Sequence, residues 1–250
     1  MGLKEPGLRG SLRNVSVGID AIPDSVENYL NIWYPMDEGS DTILNDELDV
    51  LNLAATWPAG TWHDDANYWR GTGIDLNNQT EFWQSDSTFS AGSEMAAVVW
   101  FDTDVWDENN NEAIIFAGDE PGNIDSNNGW ALSTREDLII WFVENGSTAS
   151  SGDITDDSLP TTERLFAGIN VSGTSDSGSA DIFIWDESEK LFDETGISLT
   201  SAPLAGDNYH SGGGFFNGDY WDGKTDAVGY LTDGNLSESE FGEIWEDTRP

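Results

Sequence analysis

Cysteine is absent from the 250 residues. Without a thiol there is no disulfide framework, no thiolate metal site and no cysteine nucleophile. Basic side chains are scarce: nine Lys and Arg stand against 48 Asp and Glu, and the lysines are Lys4, Lys190 and Lys224. A formal net charge of −39 argues against nucleic acid as a partner, since phosphates are repelled. His63 and His210 are the only histidines. Neither accompanies a Gly-x-Ser-x-Gly elbow that would expose a serine nucleophile, and each reads as an isolated surface side chain. No apolar run reaches the roughly 18 residues that cross a bilayer. The first 30 residues hold no apolar core of a Sec-type signal. The expectation is synthesis in the cytoplasm, without a signal peptide and without membrane insertion.

Aromatic residues are abundant, with 12 Trp, 11 Phe and 6 Tyr. They supply apolar area for a core, and a chain of this length buries roughly 70–75 % of its unfolded surface. One main domain is expected. The carboxylates are spread along the whole chain and not gathered in a tail. At ordinary ionic strength they repel one another, whereas in molar salt the Debye length falls to about 3 Å and the repulsion is screened. That pattern reads as a halophile's protein.

Residues 1–18 differ from the rest. Lys4, Arg9 and Arg13 stand there against Glu5 alone, a net +2, among Gly2, Pro6, Gly7 and Gly10. Such a stretch cannot build a core and reads as an extended arm. Its three cations are the candidate partner-docking residues, and residues 1–27 are assigned to the arm, residues 28–250 to the folded domain.

Short alternating or apolar runs bounded by turn residues predict strands over 28–34, 71–76, 80–84, 94–102, 112–117, 130–134, 137–144, 164–171, 180–186, 212–216 and 224–231. Residues 41–70 read as a long polar loop region carrying Trp57, Trp62, His63 and Trp69, and residues 147–160 as a Ser-, Thr- and Asp-rich connection. After Asp233, Gly234 and Asn235 break the last strand, Ser237 and Glu240 form a capping box. Leu236 and Phe241 make the accompanying staple. A short helix therefore starts at Ser237, with Phe241, Ile244 and Trp245 as its apolar stripe. Many short strands and one terminal helix predict an all-β sandwich or barrel.

Several stretches resemble one family. IWYPMDEGS (32–40) with Asn45 and Asp46 resembles the opening strand and acidic-glycine turn of laminin G-like, concanavalin A-like jelly-roll modules; YWRGTGIDL (68–76) is similar to their second motif. AVVWF (97–101), ADIFIW (180–185) and residues 215–245 match a core strand, a hairpin strand and the closing strand with its helix. The resemblance implies a two-sheet antiparallel jelly-roll sandwich in which the first and last strands lie side by side, residues 28–34 next to 226–231. The arm, with residues 6–10 and AIPDS (21–25), also resembles the start of virion structural proteins of tailed viruses infecting halophilic archaea.

The same jelly roll hosts retaining glycanases, which need two carboxylates about 5–5.5 Å apart. Here Glu47, Leu48, Asp49, Val50 and Leu51 begin the strand pattern of such enzymes, but Asn52 stands where the second Glu belongs. No enzyme is expected. Calcium suits loop carboxylates and carbonyls, and two ligand sets are candidates: Asp102, Asp104 and Asp107, or Asp207, Asn217 and Asp219. Trp57, Trp62, Trp69, Tyr220 and Trp221 are candidates for stacking on sugar rings, or for packing over the sandwich ends or at a subunit interface. Sequons stand at Asn14, Asn78, Asn145, Asn170 and Asn235.

Together these readings give the functional expectation. It is a non-enzymatic virion structural protein of a halophilic archaeal virus, a capsid turret, decoration or tail component on the virion surface. The basic arm docks it to other virion proteins, the chain forms a homo-oligomer, and its projecting lectin-like domain contacts host-surface glycan. The alternative is a carbohydrate-binding or adhesion module of a halophilic archaeal cell.

Overall fold

The computed structural model describes residues 22–37, 43–48, 54–56, 61–64, 72–76, 83–103, 112–118, 129–134, 138–144, 147–154, 164–174, 177–199, 207–216, 219–220 and 223–249. The arm cations Lys4, Arg9 and Arg13 lie outside these residues.

Two antiparallel sheets account for the strands. The first runs β15 (Lys190–Leu199), β14 (Ser177–Trp185), β13 (Leu165–Thr174), β8 (Glu94–Thr103), β18 (Gly223–Leu231), β5 (Thr72–Leu76), β4 (Thr61–Asp64). β1 (Ile32–Tyr34) also pairs with β18, in the register Ile32↔Tyr230, Trp33↔Gly229, Tyr34↔Val228. First and last strands are adjacent, as expected. The second sheet runs β12 (Ser147–Ile154), β11 (Leu138–Glu144), β10 (Gly129–Thr134), β9 (Glu112–Gly118), β16 (Asp207–Phe216), β6 (Trp83–Ser85), β3 (Ala54–Thr56), β2 (Ile43–Asn45). β7 (Phe89–Ser90) and β17 (Asp219–Tyr220) pair with the two ends of β16.

β8 shows why this is more than a two-layer sandwich. Its residues from Met95 to Phe101 are all apolar and buried, where a strand with one wet face would alternate. Met95, Ala97, Val99 and Phe101 join the core between the sheets, with Leu44, Trp83, Ile115, Trp130 and Leu132. Ala96, Val98 and Trp100 point the other way, into a second core with Val26, Leu30, Phe241, Ile244 and Trp245. These last five come from α1 (Asp24–Tyr29), the residue after it, and α2 (Glu238–Thr248). The helices form a third layer on the outer face of the first sheet. α2 is therefore no cap on one end of the sandwich. The apolar stripe of α2 buries against the outward row of Trp100, Phe166, Phe183 and Trp185.

α2 starts as its sequence dictates. Ser237 Oγ accepts from the Glu240 N–H, and the Glu240 carboxylate accepts from the Ser237 N–H at 2.7 Å. Trp245 Nε1 donates to the Asp186 carbonyl and Trp100 Nε1 to Thr248 Oγ1, both at 2.8 Å, which locks the helix to β8 and to the turn after β14. Asn170 fixes the approach to the helix by donating to the Leu236 carbonyl at 2.8 Å and accepting its N–H at 2.9 Å. Being buried and doubly bonded, that sequon asparagine has no free amide.

Three expectations are corrected. Residues 28–34 are not one strand, because Pro23 opens a helix whose Val26, Tyr29 and Leu30 share one face. The boundary placed after residue 27 thus falls inside α1, and Val26 is fully buried. The region 41–70 holds β2, β3 and β4, and the polar connection 147–160 holds β12. β15 was also unforeseen. β2, β4, β12 and β15 are the edges of their sheets, where polar residues are tolerated and the apolar signal is weak.

Candidate functional site

Strand register brings four of the expected binding residues to one end of the sandwich. β18 begins there with Gly223, paired to Leu76 at the end of β5 and to Thr103 at the end of β8. One step in, a single row reads Thr61, Asp75, Lys224, Asp102 across four strands. The next row contains Trp62, Ile74, Thr225 and Phe101. Tyr220 lies opposite Phe215 and Asp219 opposite Phe216, where β16 ends. Tyr220 precedes Gly223 by three residues, at most about 11 Å of chain.

Trp62, Asp102, Asp219 and Tyr220 thus come to one end by backbone position. Trp62 and Asp102 are separated by three strand spacings, about 14 Å. Trp62 lies on the edge strand β4, not in a loop. Trp57, Trp69 and Trp221 lie outside the described residues, as do Asp104, Asp107 and Asn217.

The second calcium set is not brought together. Asp207 opens β16 opposite Ser90, whereas Asp219 sits beyond its far end opposite Phe216. A ten-residue strand, about 30 Å when extended, divides them. Asp102 is the register partner of Lys224 across the ladder, an opposite-charge pair. Among the described residues, no three His, Asp or Glu side chains form a group that could hold a metal ion.

A cluster of perturbed titratable groups lies elsewhere, between the sheets. His210, which the sequence suggested was a surface residue, is fully buried in the middle of β16. Its Nε2 is 2.7 Å from the hydroxyl of Tyr34 on β1, and its ring packs 4.8 Å from Tyr230 of β18 and 5.5 Å from Phe89 of β7. The His210 N–H donates to Ser85 Oγ of β6 at 3.2 Å. Burial removes the water that would stabilise an imidazolium and lowers the pKa to about 3, so the ring is neutral. Burial likewise raises Tyr34 and Tyr230 above the ordinary phenol range.

Among the described residues, the Nδ1 of His210, Tyr230 Oη and Trp83 Nε1 have no hydrogen-bond partner. Trp83 packs this cluster by lying across Gly212, where a Cβ would come 2.3 Å from the indole nitrogen. A neutral imidazole beside un-ionised phenols, enclosed by both sheets, can join strands by hydrogen bonding. His210 next to Ser211 carried no sequence signal for this, because its hydrogen-bond partners come from strands more than 100 residues away along the chain.

A second enclosed pair, Arg164 with Asp226, lies on the helix-covered face. The two side chains form an ion pair 5 % and 1 % exposed, and the guanidinium stacks 4.6 Å above Trp100. Asp226 is the extra residue of a β-bulge between Thr225 and Ala227. The bulge separates the part of β18 that pairs with β5 from the part that pairs with β1.

No protein-family model matches the chain, nor does the sequence of any curated protein. Solved structures do match in fold. The binding domain of botulinum neurotoxin DC, in complex with rat synaptotagmin II, superposes with a TM-score of 0.60 at 9 % identity, over 90 % of this chain and 52 % of that one. Domain 4 of an extracellular arabinanase from Geobacillus stearothermophilus, in complex with arabinotriose, gives 0.56 at 12 %, over 86 % of this chain and 98 % of that one. Trypanosoma rangeli sialidase in complex with sialic acid gives 0.56 at 12 %, over 87 % and 33 %. The chain spans about half the length of the toxin binding domain it matches. The fold is an antiparallel β-sandwich.

Proposed function

We propose that this chain is a non-catalytic, glycan-contacting structural module. The observation that carries the reading is the sandwich itself, which superposes on nearly the whole of an arabinanase domain solved with arabinotriose. Glycan contact belongs to the end of the sandwich where Trp62 and Tyr220 converge by register, with Trp57 and Trp221 next to them in sequence. Aromatic rings there stack on sugar faces, and polar loop side chains fix hydroxyls.

The finer reading is a surface component of the virion of a halophilic archaeal virus, in capsid or tail. Its support is the net charge of −39, suited to molar salt, and the likeness of the N-terminal segment to virion proteins. In the assembled particle, Lys4, Arg9 and Arg13 would engage acidic neighbours. A calcium ion at the acidic loops next to Asp102 or Asp219 belongs to the same proposal. The alternative, an adhesion module of a halophilic cell, is favoured by one observation: the arabinanase match is itself a domain of a larger extracellular protein.

A glycan array probed in molar salt tests the first level. Binding that falls at least about tenfold on replacing Trp62 or Tyr220 by Ala, a loss of roughly 1.4 kcal/mol, supports it; no binding to any glycan overturns it. Mass spectrometry of purified, salt-stable particles tests the second. Finding the chain only on cell surfaces selects the adhesion reading.

A further inference from the structure

The fold treats two sequons in opposite ways. Asn170 and Asn235 lie among the described residues, whereas Asn14, Asn78 and Asn145 lie outside them. Asn170 of β13 is 5 % exposed, and its carboxamide is spent on Leu236, as donor to the carbonyl and acceptor from the N–H. Asn235 is exposed, in the turn between β18 and α2. Its Nδ2 carries two hydrogens. One is donated to Ser172 Oγ at 2.9 Å, and among the described residues the other has no acceptor.

Ser172 is the hydroxyl residue of the Asn170 motif, so the two motifs interlock. The buried one holds the exposed one, fixing Leu236 through Asn170 and Asn235 through Ser172. Exposure along the second motif alternates: Asn235 and Ser237 are exposed, and Leu236 between them is buried. An extended backbone does this, because residues two apart share a face, and Ser237 has φ −73° and ψ 159°. Gly234, at a φ of 145° where a side chain would be strained, turns the chain out of β18, and its N–H donates to the Glu94 carbonyl at 3.1 Å. Carboxamide and hydroxyl are thus presented to solvent on one side of a rigidly held turn. The bonds of Ser237 Oγ, to Ser239 and Glu240, all lie within the exposed first turn of α2.

We infer that Asn235 of the folded chain is an acceptor for an N-linked oligosaccharide, and that Asn170 is not. The donor is a lipid phosphate-linked oligosaccharide, and a separate transferase reads the carboxamide together with the Ser237 hydroxyl two residues on. Asn235 Nδ2 forms a bond to the anomeric carbon of the first sugar as the bond from that carbon to the phosphate oxygen breaks. The lipid phosphate leaves with the electron pair, and the amide proton passes to a base of the transferase. The acceptor lies beyond the Leu231 end of β18, whereas the proposed glycan-contact end begins at Gly223, nine residues and about 30 Å away. An attached glycan leaves that end clear. Failure of the chain to bind any glycan there would leave the acceptor intact.

Glycosylation of the full folded chain in molar salt tests it, using membranes of a halophilic archaeon as the source of transferase and lipid-linked oligosaccharide. Synthetic peptides of residues 230–240 and 165–176 serve as unfolded standards for the two motifs. Trypsin then separates the motifs into residues 165–190 and 225–250, and mass spectrometry reads each. Residues 225–250 are expected to gain the oligosaccharide mass at a rate comparable to their peptide. Residues 165–190 gain it at least about tenfold more slowly than theirs, because Asn170 must wait for local opening. Ser237→Asp keeps a good N-cap and abolishes the gain at Asn235, whereas Ser237→Thr keeps both cap and gain; circular dichroism checks that each variant is folded. An unmodified Asn235 in the folded chain beside a modified 230–240 peptide overturns the assignment. So does modification of Asn170 as fast as Asn235, or a gain at Asn235 that survives Ser237→Asp.

Discussion

Gly168 of β13 and Phe241 of α2 are in direct contact: a Cβ on residue 168 would lie 2.6 Å from Cδ1 of the Phe241 ring. The phenyl ring occupies the place a side chain would need, and it is fully buried against Phe183 at a centroid distance of 5.6 Å. The separation of helix and sheet is set at this point. Gly168→Ala is expected to push α2 outward and to cost about 1–3 kcal/mol, as overpacking does. Urea denaturation in constant molar KCl measures it. A variant as stable as the parent would show that α2 can shift freely.

The buried imidazole makes stability depend on acidity. In the unfolded chain His210 takes up a proton near its ordinary 6.5, and in the folded chain only near 3. Its contribution is complete above about pH 6.5 and is lost at up to about 1.4 kcal/mol per pH unit as pH falls toward 3. His210→Gln keeps a polar side chain without that titration. The difference between parent and variant, measured by urea melts from pH 7.5 to 4.5, isolates the slope from the many carboxylates common to both. Parallel curves would contradict the burial of a neutral ring.

Arg164 and Asp226 are buried together, so removing one charge strands the other. Asp226→Asn is expected to cost about 3–5 kcal/mol, while Arg164→Met combined with Asp226→Asn recovers much of that loss. A double-mutant cycle by urea denaturation provides the check. Equal losses in single and double variants would mean that the bulge geometry, and not the charge pair, requires Asp226.

The surface charge predicts a salt requirement. With a net charge of −39, the folded chain is expected to lose its strand signal in far-ultraviolet circular dichroism between molar and about 10 mM KCl, as the Debye length grows from about 3 to 30 Å. An unchanged spectrum at low salt would remove the argument for halophilic adaptation.

The proposed binding end shows how far strand patterns reach. Strand patterns located β5, β8 and β18 closely enough to place Asp102 at a strand end, but left Trp62 in a loop and did not show that the two share an end. Register decides that, and register depends on pairing partners far apart in sequence. His210 is the sharper case. A single histidine among Asn208, Tyr209 and Ser211 looks solvated, and only the arrival of Tyr34, Phe89 and Tyr230 from other strands makes it core.

Local chemistry determined what could be read from the residues alone. The capping box at Ser237 and Glu240, the Phe241–Ile244–Trp245 stripe, the all-β class and the adjacency expected for the first and last strands all follow from neighbouring side chains or from resemblance. Tertiary structure alone decided where α2 goes. The unbroken apolar run of β8 can be read as one tightly packed strand or as one buried on both faces, and the choice requires knowing what covers Ala96, Val98 and Trp100. Hydrophobic burial has no direction of its own. The helix packs on the outer face because the sheet offers an apolar surface there, and that surface exists only after β13, β14 and β18 have assembled around β8.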